Sequence, residues 1–323
     1  MEDRFEIELG THRNWMGSAQ LRQTLFTWGR ALNAYRQFQL QHRAAEFALE
    51  RAKQTVALQV QEAFYGVLLA RTVVEVSQAA VEQAQRRLDV AQKRYEAGTT
   101  TRLEVLQAQV GLSTAQAQRI RAENALQIAK QGFVLALGLA PNNRVEAIGN
   151  LEPIAFEGEL NPLIEKALLS RPDLREALYR DEANRYLIKI AAAGNKPIVA
   201  ATATWAWTDT ERQNPQNTWS VGVGINFPIF DGVATRAQKR QAEAAKRQSE
   251  QGLSMLKSGI VFEVQRAYRS FIEAQTLLEA QADALSQAEE ALRIANLSFA
   301  NGVITGVELA EAELGTNPGP DVL

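Results

Sequence analysis

The chain has 323 residues and is nearly balanced in charge, with 35 Lys and Arg against 37 Asp and Glu. Because no basic run stands out, nothing indicates a nucleic-acid partner. The absence of cysteine excludes disulfides and thiolate metal sites. No stretch approaches the ~18 uninterrupted apolar residues that are typical of a membrane-spanning helix.

An internal repeat relates the first part of the chain to a part that begins 204 positions later, without a gap. Matched pairs include Trp15 with Trp219, Phe26 with Phe230, Gly98 with Gly302, Thr101 with Thr305 and Glu104 with Glu308. An unbroken register of this length indicates duplication rather than shared composition. The chain is therefore expected to contain two copies of one unit.

Alternating apolar and polar residues predict strands at residues 15–26, 199–208 and 219–230, with a fourth candidate at 4–9. A loop at residues 209–217 would close the hairpin between the second and third of these segments. The apolar positions form one face: Trp15, Leu21, Leu25, Val199, Trp205, Trp207, Trp219, Val221, Val223, Ile225 and Phe227. Small and polar residues form the other face.

Segments of this length with one apolar face are typical of transmembrane β-strands, and tryptophan is enriched at membrane interfaces. On that interpretation the apolar face contacts lipid. Four strands cannot close a barrel, because small membrane barrels have about eight strands or more and open edges are not tolerated in lipid. The interpretation therefore requires an oligomer, and a trimer would supply twelve strands. The alternative is a soluble sheet packed on helices.

Residues 30–97 and 233–300 predict two very long helices, neither of which contains proline. At ~1.5 Å per residue, each would extend on the order of 100 Å. Their Ala, Gln, Glu, Arg and Leu content, with apolar residues at helical spacing, is typical of coiled coils.

Both long helices end in the same motif, a glycine followed by Thr-x-x-Glu. Glycine suits the left-handed end of a helix, and Thr-x-x-Glu is a capping box that would begin the next helix. The motif predicts a tight helical hairpin tip in each repeat, with Glu104 and Glu308 as capping residues.

The remaining segments divide the chain into four predicted regions. A return helix at about residues 101–137 completes the first repeat, residues 1–141. Residues 142–195 hold a linker and two short helices, one opened by Asn161-Pro162 and one by Arg171-Pro172. The second repeat covers residues 196–315 with a shorter return helix, and residues 316–323 are a predicted disordered tail.

Several motifs follow one another in an order that is typical of one family. They are Arg171-Pro172-Asp173-Leu174 before an Ala-rich helix, Phe227-Pro228-Ile229-Phe230-Asp231-Gly232 after the last strand, and the two Gly-x-x-Thr-x-x-Glu tips. On these motifs the chain, from about residue 5 to residue 314, resembles the TolC-type outer membrane efflux proteins, also called outer membrane factors.

The resemblance implies a mainly α fold with a small β part. Long antiparallel coiled-coil helices would form a periplasmic α-barrel, and four strands would contribute to a trimeric twelve-stranded β-barrel in the outer membrane of a Gram-negative bacterium. The implied partners are two further copies of the chain, outer membrane lipid, a periplasmic adaptor (membrane fusion) protein and, through the adaptor, an inner-membrane transporter. The tips that match the adaptor-facing positions are Gly98, Thr99, Thr100, Thr101, Arg102, Gly302, Val303, Ile304 and Thr305.

Compared with the family pattern, the chain is expected to be truncated at both ends. Family members begin with a signal sequence and two further helices, whereas residue 1 here lies next to the first predicted strand. The second return helix is also expected to stop near Gly315.

No enzyme or cofactor is predicted. The two histidines, His12 and His42, have no second ligand at metal spacing, and no phosphate-binding glycine loop occurs. The resemblance predicts a passive channel subunit for drug efflux or type I secretion. The alternative is a soluble coiled-coil scaffold or tether without transport activity.

Overall fold

A computed structural model describes residues 14–153, 156, 158–210, 213–301, 303–304, 308–309 and 312. This part of the chain is mainly helical with one small sheet. In chain order its elements are β1 (Asn14–Phe26), α1 (Arg30–Glu96), α2 (Arg102–Ala136), α3 (Leu160–Ser170), α4 (Pro172–Ala192), β2 (Ile198–Thr210), β3 (Gln213–Asn226) and α5 (Ala234–Ala300).

The two long helices occupy equivalent places in the predicted repeats. Each has 67 residues, and α5 begins and ends 204 residues after α1. Both bounds lie within one residue of those predicted from the sequence. The predicted division of the chain by repeat remains a prediction, because by contacts the chain forms two compact units that each draw on both repeats. The first unit comprises Met1–Glu50 and Ala167–Val261, and the second comprises Arg51–Lys166 and Phe262–Leu323.

The sheet belongs to the first unit and has the antiparallel order β1-β2-β3. The predicted loop at residues 209–217 is wrong, because the β2 and β3 ladder continues to the pair Thr210 and Gln213. β3 ends at Asn226 and not at Phe230, two residues before Pro228, which has no amide to donate to a ladder. The predicted strand at residues 4–9 lies outside the described residues.

Helix α4 contacts both long helices within the first unit. The Tyr179 ring stacks on the Phe47 ring of α1, with 5.6 Å between centroids. On the other side, the ammonium of Lys246 in α5 donates to both carboxylate oxygens of Asp181 at 2.7 Å. The predicted start of α3 is wrong, since α3 begins at Leu160, before the expected cap Asn161.

The second unit contains an antiparallel hairpin of α1 and α2. Phe64 contacts Phe133, and Arg119 donates a hydrogen bond to Gln78 at 2.9 Å. The later contact on α1, at Gln78, is made with the earlier residue of α2, Arg119. The two helices therefore run antiparallel.

The segment after α2 covers the middle of this hairpin. Ala147 is buried in one cluster with Val67, Leu68 and Phe133. The guanidinium of Arg71 donates to the Ala147 carbonyl at 2.7 Å. The predicted linker is thus a segment without regular secondary structure that packs through Ala147 and Val145, whereas Ile148 and Leu151 are exposed.

Among the described residues, one helix, α1, meets the length and composition required to cross a membrane. This corrects the expectation that no such helix would be found. The same test is passed by the core helices of many soluble proteins, so it supports no assignment by itself.

Candidate functional site

The odd-numbered positions of the three strands share one face, which we call the apolar face. The register pairs Leu21 with Ala203 and Ala203 with Val221, and the same spacing pairs Ala201 with Val223. The exposed fractions of Trp219, Val221 and Ile225 are 78%, 71% and 70%. Contiguous apolar surface of this kind marks a site of contact with lipid or with another chain.

Most of the residues predicted to face lipid lie on this apolar face. Trp15, Leu21, Trp219, Val221, Val223 and Ile225 are exposed there, and Trp205 is also exposed opposite Trp219. Val199 and Trp207 are only half-buried, and a Cβ added to Gly17 would lie 3.8 Å from the Trp207 ring. Leu25 lies at a register shift between Thr24 and Phe26, and Phe227 follows the end of β3.

The even-numbered positions form the opposite face, which we call the polar face. Its residues include Ser18, Gln20, Arg22, Thr24, Thr202, Thr204, Ser220, Gly222 and Gly224. A Cβ added to Gly222 or Gly224 would have no neighbour within 4 Å. The glycines therefore keep this face open, and they do not serve close packing.

Two successive left-handed residues join each strand to its long helix. They are Trp28 and Gly29, with φ of 52° and 78°, and Gly232 and Val233, with φ of 61° and 67°. The two pairs are 204 residues apart, so the same left-handed turn occurs in both repeats. Glycine is the second residue of the first pair and the first residue of the second pair. Sequence reasoning missed this turn, although a glycine in each junction was a usable signal.

The residue before each pair caps the helix that follows. The Thr27 hydroxyl accepts a hydrogen bond from the amide of Ala31 at 3.1 Å. At the equivalent place, the Asp231 carboxylate accepts from the amide of Thr235 at 2.9 Å. Hydrogen bonds from the side chain and then the backbone of Thr235 lower the pKa of Asp231 below its ordinary value.

Gly98 ends the first long helix as predicted, with a φ of 72°. The amide of Thr99 donates to the Arg94 carbonyl at 2.8 Å, which closes the last turn. The predicted capping box is wrong in its contacts. Thr101 occupies the N-cap position of α2 but makes no side-chain cap, and Glu104 instead accepts from the Thr100 hydroxyl and lies 3.9 Å from the Arg94 guanidinium.

The second tip repeats the backbone bond of the first. The amide of Val303 donates to the Ser298 carbonyl at 2.8 Å, as Thr99 does to Arg94. Val303 is exposed, Ile304 is half-buried and Glu308 is exposed. Gly302 and Thr305 lie outside the described residues, so their predicted places in the tip stay predictions, as does the capping role of Glu308.

No metal centre occurs in the part of the chain that the structure describes, where no group of three or more His, Cys, Asp and Glu side chains could hold an ion. His42 lies beside Glu46 on the exposed surface of α1. His12 lies outside the described residues.

The described residues thus combine a small sheet that has an exposed apolar face with helices of unusual length, which is the architecture of a class of long-helix proteins with a small β part. Residues 5–139 and 163–315 match the model of the family described as outer membrane efflux protein. The chain belongs to this family.

Curated relatives span the chain at modest identity. The alkaline protease secretion protein AprF of Pseudomonas aeruginosa is 24% identical over 312 residues, which cover 93% of this chain and 64% of AprF. The cobalt-zinc-cadmium resistance protein CzcC of Cupriavidus metallidurans is 26% identical over 284 residues, which cover 84% of this chain and 65% of CzcC. The chain thus spans a little less than two thirds of the length of these relatives.

Solved structures share the fold. The outer membrane protein VceC of Vibrio cholerae superposes with a TM-score of 0.77 at 20% identity, covering 97% of this chain and 82% of VceC. The CmeC outer membrane channel of Campylobacter jejuni gives a TM-score of 0.78 at 16% identity, covering 96% of this chain and 73% of CmeC. These likenesses confirm the expected fold of long helices with a small β part.

Proposed function

We propose that the chain is a subunit of a passive outer-membrane channel of a Gram-negative bacterium, through which drugs or other exported substrates pass from the periplasm to the exterior. The observation that carries this proposal is the separation of the two sheet faces. One face is apolar and exposed over three strands, and the other is small and polar, which is the pattern of a strand between lipid and a water-filled lumen.

The open sheet supports a homotrimer as part of this proposal. Among the described residues, β1 and β3 each have a strand neighbour on one side only. Unpaired strand edges are costly in lipid, so the sheet must close with strands of other copies. With the predicted strand at residues 4–9, three copies would supply the twelve strands of the proposed barrel.

The hairpin tips are the proposed docking site for a periplasmic adaptor protein, which would connect the channel to an inner-membrane transporter. Val303 of the second tip is 75% exposed, and Leu103, which follows the first tip, is 63% exposed. The channel itself would do no energy-consuming work, because the transporter supplies the energy. The relatives AprF and CzcC carry the names of a secretion and a metal-resistance protein, and both tripartite efflux and type I secretion therefore stand as proposed settings.

Single-cysteine labelling tests the proposal, since the chain has no native cysteine to give a background. Val221→Cys lies on the apolar face, and Ser220→Cys, its neighbour along β3, lies on the polar face and is the matched control. We expect a membrane-restricted maleimide to label V221C, and a water-soluble, membrane-impermeant maleimide to label S220C. Protection of V221C from both reagents would contradict lipid contact and favour the soluble scaffold, in which protein buries this face.

A further inference from the structure

The three strands contain two charged residues, Arg22 and Asp209. Asp209 pairs with Trp15 and therefore lies on the apolar face. It is one residue before the end of β2. Arg22 lies on the polar face, within β1 and away from both its ends. The polar face of the described sheet therefore carries one charge, and that charge is positive.

The neighbours of Arg22 leave its side chain open to solvent. Arg22 pairs with Thr202, and Thr202 pairs with Gly222 on the next strand. Neither neighbour offers a carboxylate, and Gly222 has no side chain at all. Arg22 is exposed, and it makes no hydrogen bond or ion pair in the part of the chain that the structure describes.

The guanidinium group of arginine is a cation. If the proposed channel forms, three-fold symmetry would place three copies of Arg22 at one height along the lumen. A ring of cationic side chains on a wall of low dielectric concentrates anions and repels cations, and rings of arginine or lysine are used in this way by anion pores.

We propose that Arg22 is a charge-selecting residue of the strand region and favours the passage of anionic over cationic solutes. This inference rests on the proposed channel function and adds a substrate class to it. Glu6 and Glu8 of the predicted strand at residues 4–9 lie outside the described residues. Whatever charge they contribute, removal of Arg22 shifts the lumen toward cation preference.

The test is the reversal potential of the full chain reconstituted in planar bilayers under a KCl gradient. Concentrations near 0.1 M keep the Debye length at about 10 Å, so that one ring of charge is not screened away. Arg22→Gln removes the charge, Arg22→Glu inverts it, and Arg22→Lys keeps it as the matched control. We expect the chloride-to-potassium permeability ratio to fall by about two-fold or more in R22Q and further in R22E, with R22K close to the unsubstituted chain.

The outcomes distinguish failure of the proposed role of Arg22 from failure of the proposed channel function. A conducting channel whose permeability ratio is the same in all four proteins would overturn the role of Arg22 and leave the channel function standing. A change in R22K as large as that in R22Q would also overturn it, because charge would then not be the cause. Failure of the unsubstituted oligomer to conduct would overturn the proposed channel function, and the inference with it.

Discussion

The two strand-to-helix junctions follow the same backbone path with different side chains. The first has a threonine cap and glycine second in its left-handed pair, and the second has an aspartate cap and glycine first. Each junction keeps one glycine, which lowers the cost of two successive left-handed residues. Backbone geometry has thus been retained where the residues that form it have changed.

The middles of the two long helices differ in a second way. Val67 is buried in α1, whereas its counterpart Phe271 in α5 is partly exposed. Conversely, Ile260 is buried and its counterpart Val56 is exposed. The segment around Ala147 packs on Val67, and the two helices of equal length therefore bury different positions among the described residues.

The largest expected effect comes from truncating a side chain that is buried in one long helix and exposed at the equivalent position of the other. Ile260 is 1% exposed and Val56 is 52% exposed. Ile260→Ala should lower the free energy of unfolding by about 2–5 kcal/mol, because it removes buried methylenes and leaves a cavity. Val56→Ala, the matched control, should change it by about 0.5 kcal/mol or less. Urea unfolding followed by circular dichroism measures both, and equal losses would show that the repeats bury these positions alike.

Exchange of the junction residues gives the next largest effect. Gly29→Val places a β-branched residue in the left-handed region and should cost about 1–2 kcal/mol. A Cβ there would lie 3.5 Å from Asn33, an ordinary contact, so the backbone and not a clash would cause the loss. Val233→Gly should relieve strain but stabilise by less than about 1 kcal/mol, because glycine also gains freedom in the unfolded chain. An unchanged unfolding temperature in Gly29→Val would show that a β-branched residue is not strained at this left-handed position.

The two caps should also respond differently to pH. The folded pKa of Asp231 lies below its ordinary value of 3.8, so its stabilisation is complete above that value and is lost as pH falls through the folded pKa. Asp231→Thr should therefore remove part of the acid-induced fall in unfolding temperature. Thr27→Asp should add to it. Unfolding temperatures compared between about pH 6 and about pH 3 test this, and identical profiles in all three proteins would exclude an electrostatic difference between the caps.

The smallest effect concerns the tips. The first tip has the exposed ion pair of Arg94 and Glu104, and the second has Ser298 at the place of Arg94. Arg94→Ser should cost about 0.2–1 kcal/mol, the range measured for exposed pairs. Lys93→Ser removes a cation from the same turn as the control. The difference between the two variants should shrink at high salt, and a difference that salt leaves unchanged would argue against an ion-pair contribution.

The sequence alone predicted the elements that depend on local pattern. The period of two identified the strands and their apolar positions, and the repeat fixed the ends of α1 and α5 to within one residue. Gly98 was predicted to be left-handed because few other residues adopt that conformation without cost.

Contacts between segments distant in sequence were not predictable in this way. Nothing in the pattern around Ala147 indicated that this segment would be buried or that Arg71 would donate to its carbonyl. The contacts of Glu104 were also missed, because the Thr100 hydroxyl and the Arg94 guanidinium compete for its carboxylate with the amide it was expected to cap. Which partner a side chain contacts depends on the relative free energies of the competing contacts, and a sequence motif does not contain that information.

The most direct test of the proposed trimeric channel is the mass of the chain, produced behind an export signal peptide and extracted from the outer-membrane fraction in detergent. Size exclusion with light scattering, corrected for bound detergent, gives that mass. We expect a trimer of the 35.7 kDa chain. A water-soluble monomer or dimer would contradict it, because the apolar sheet face would then have no lipid to contact.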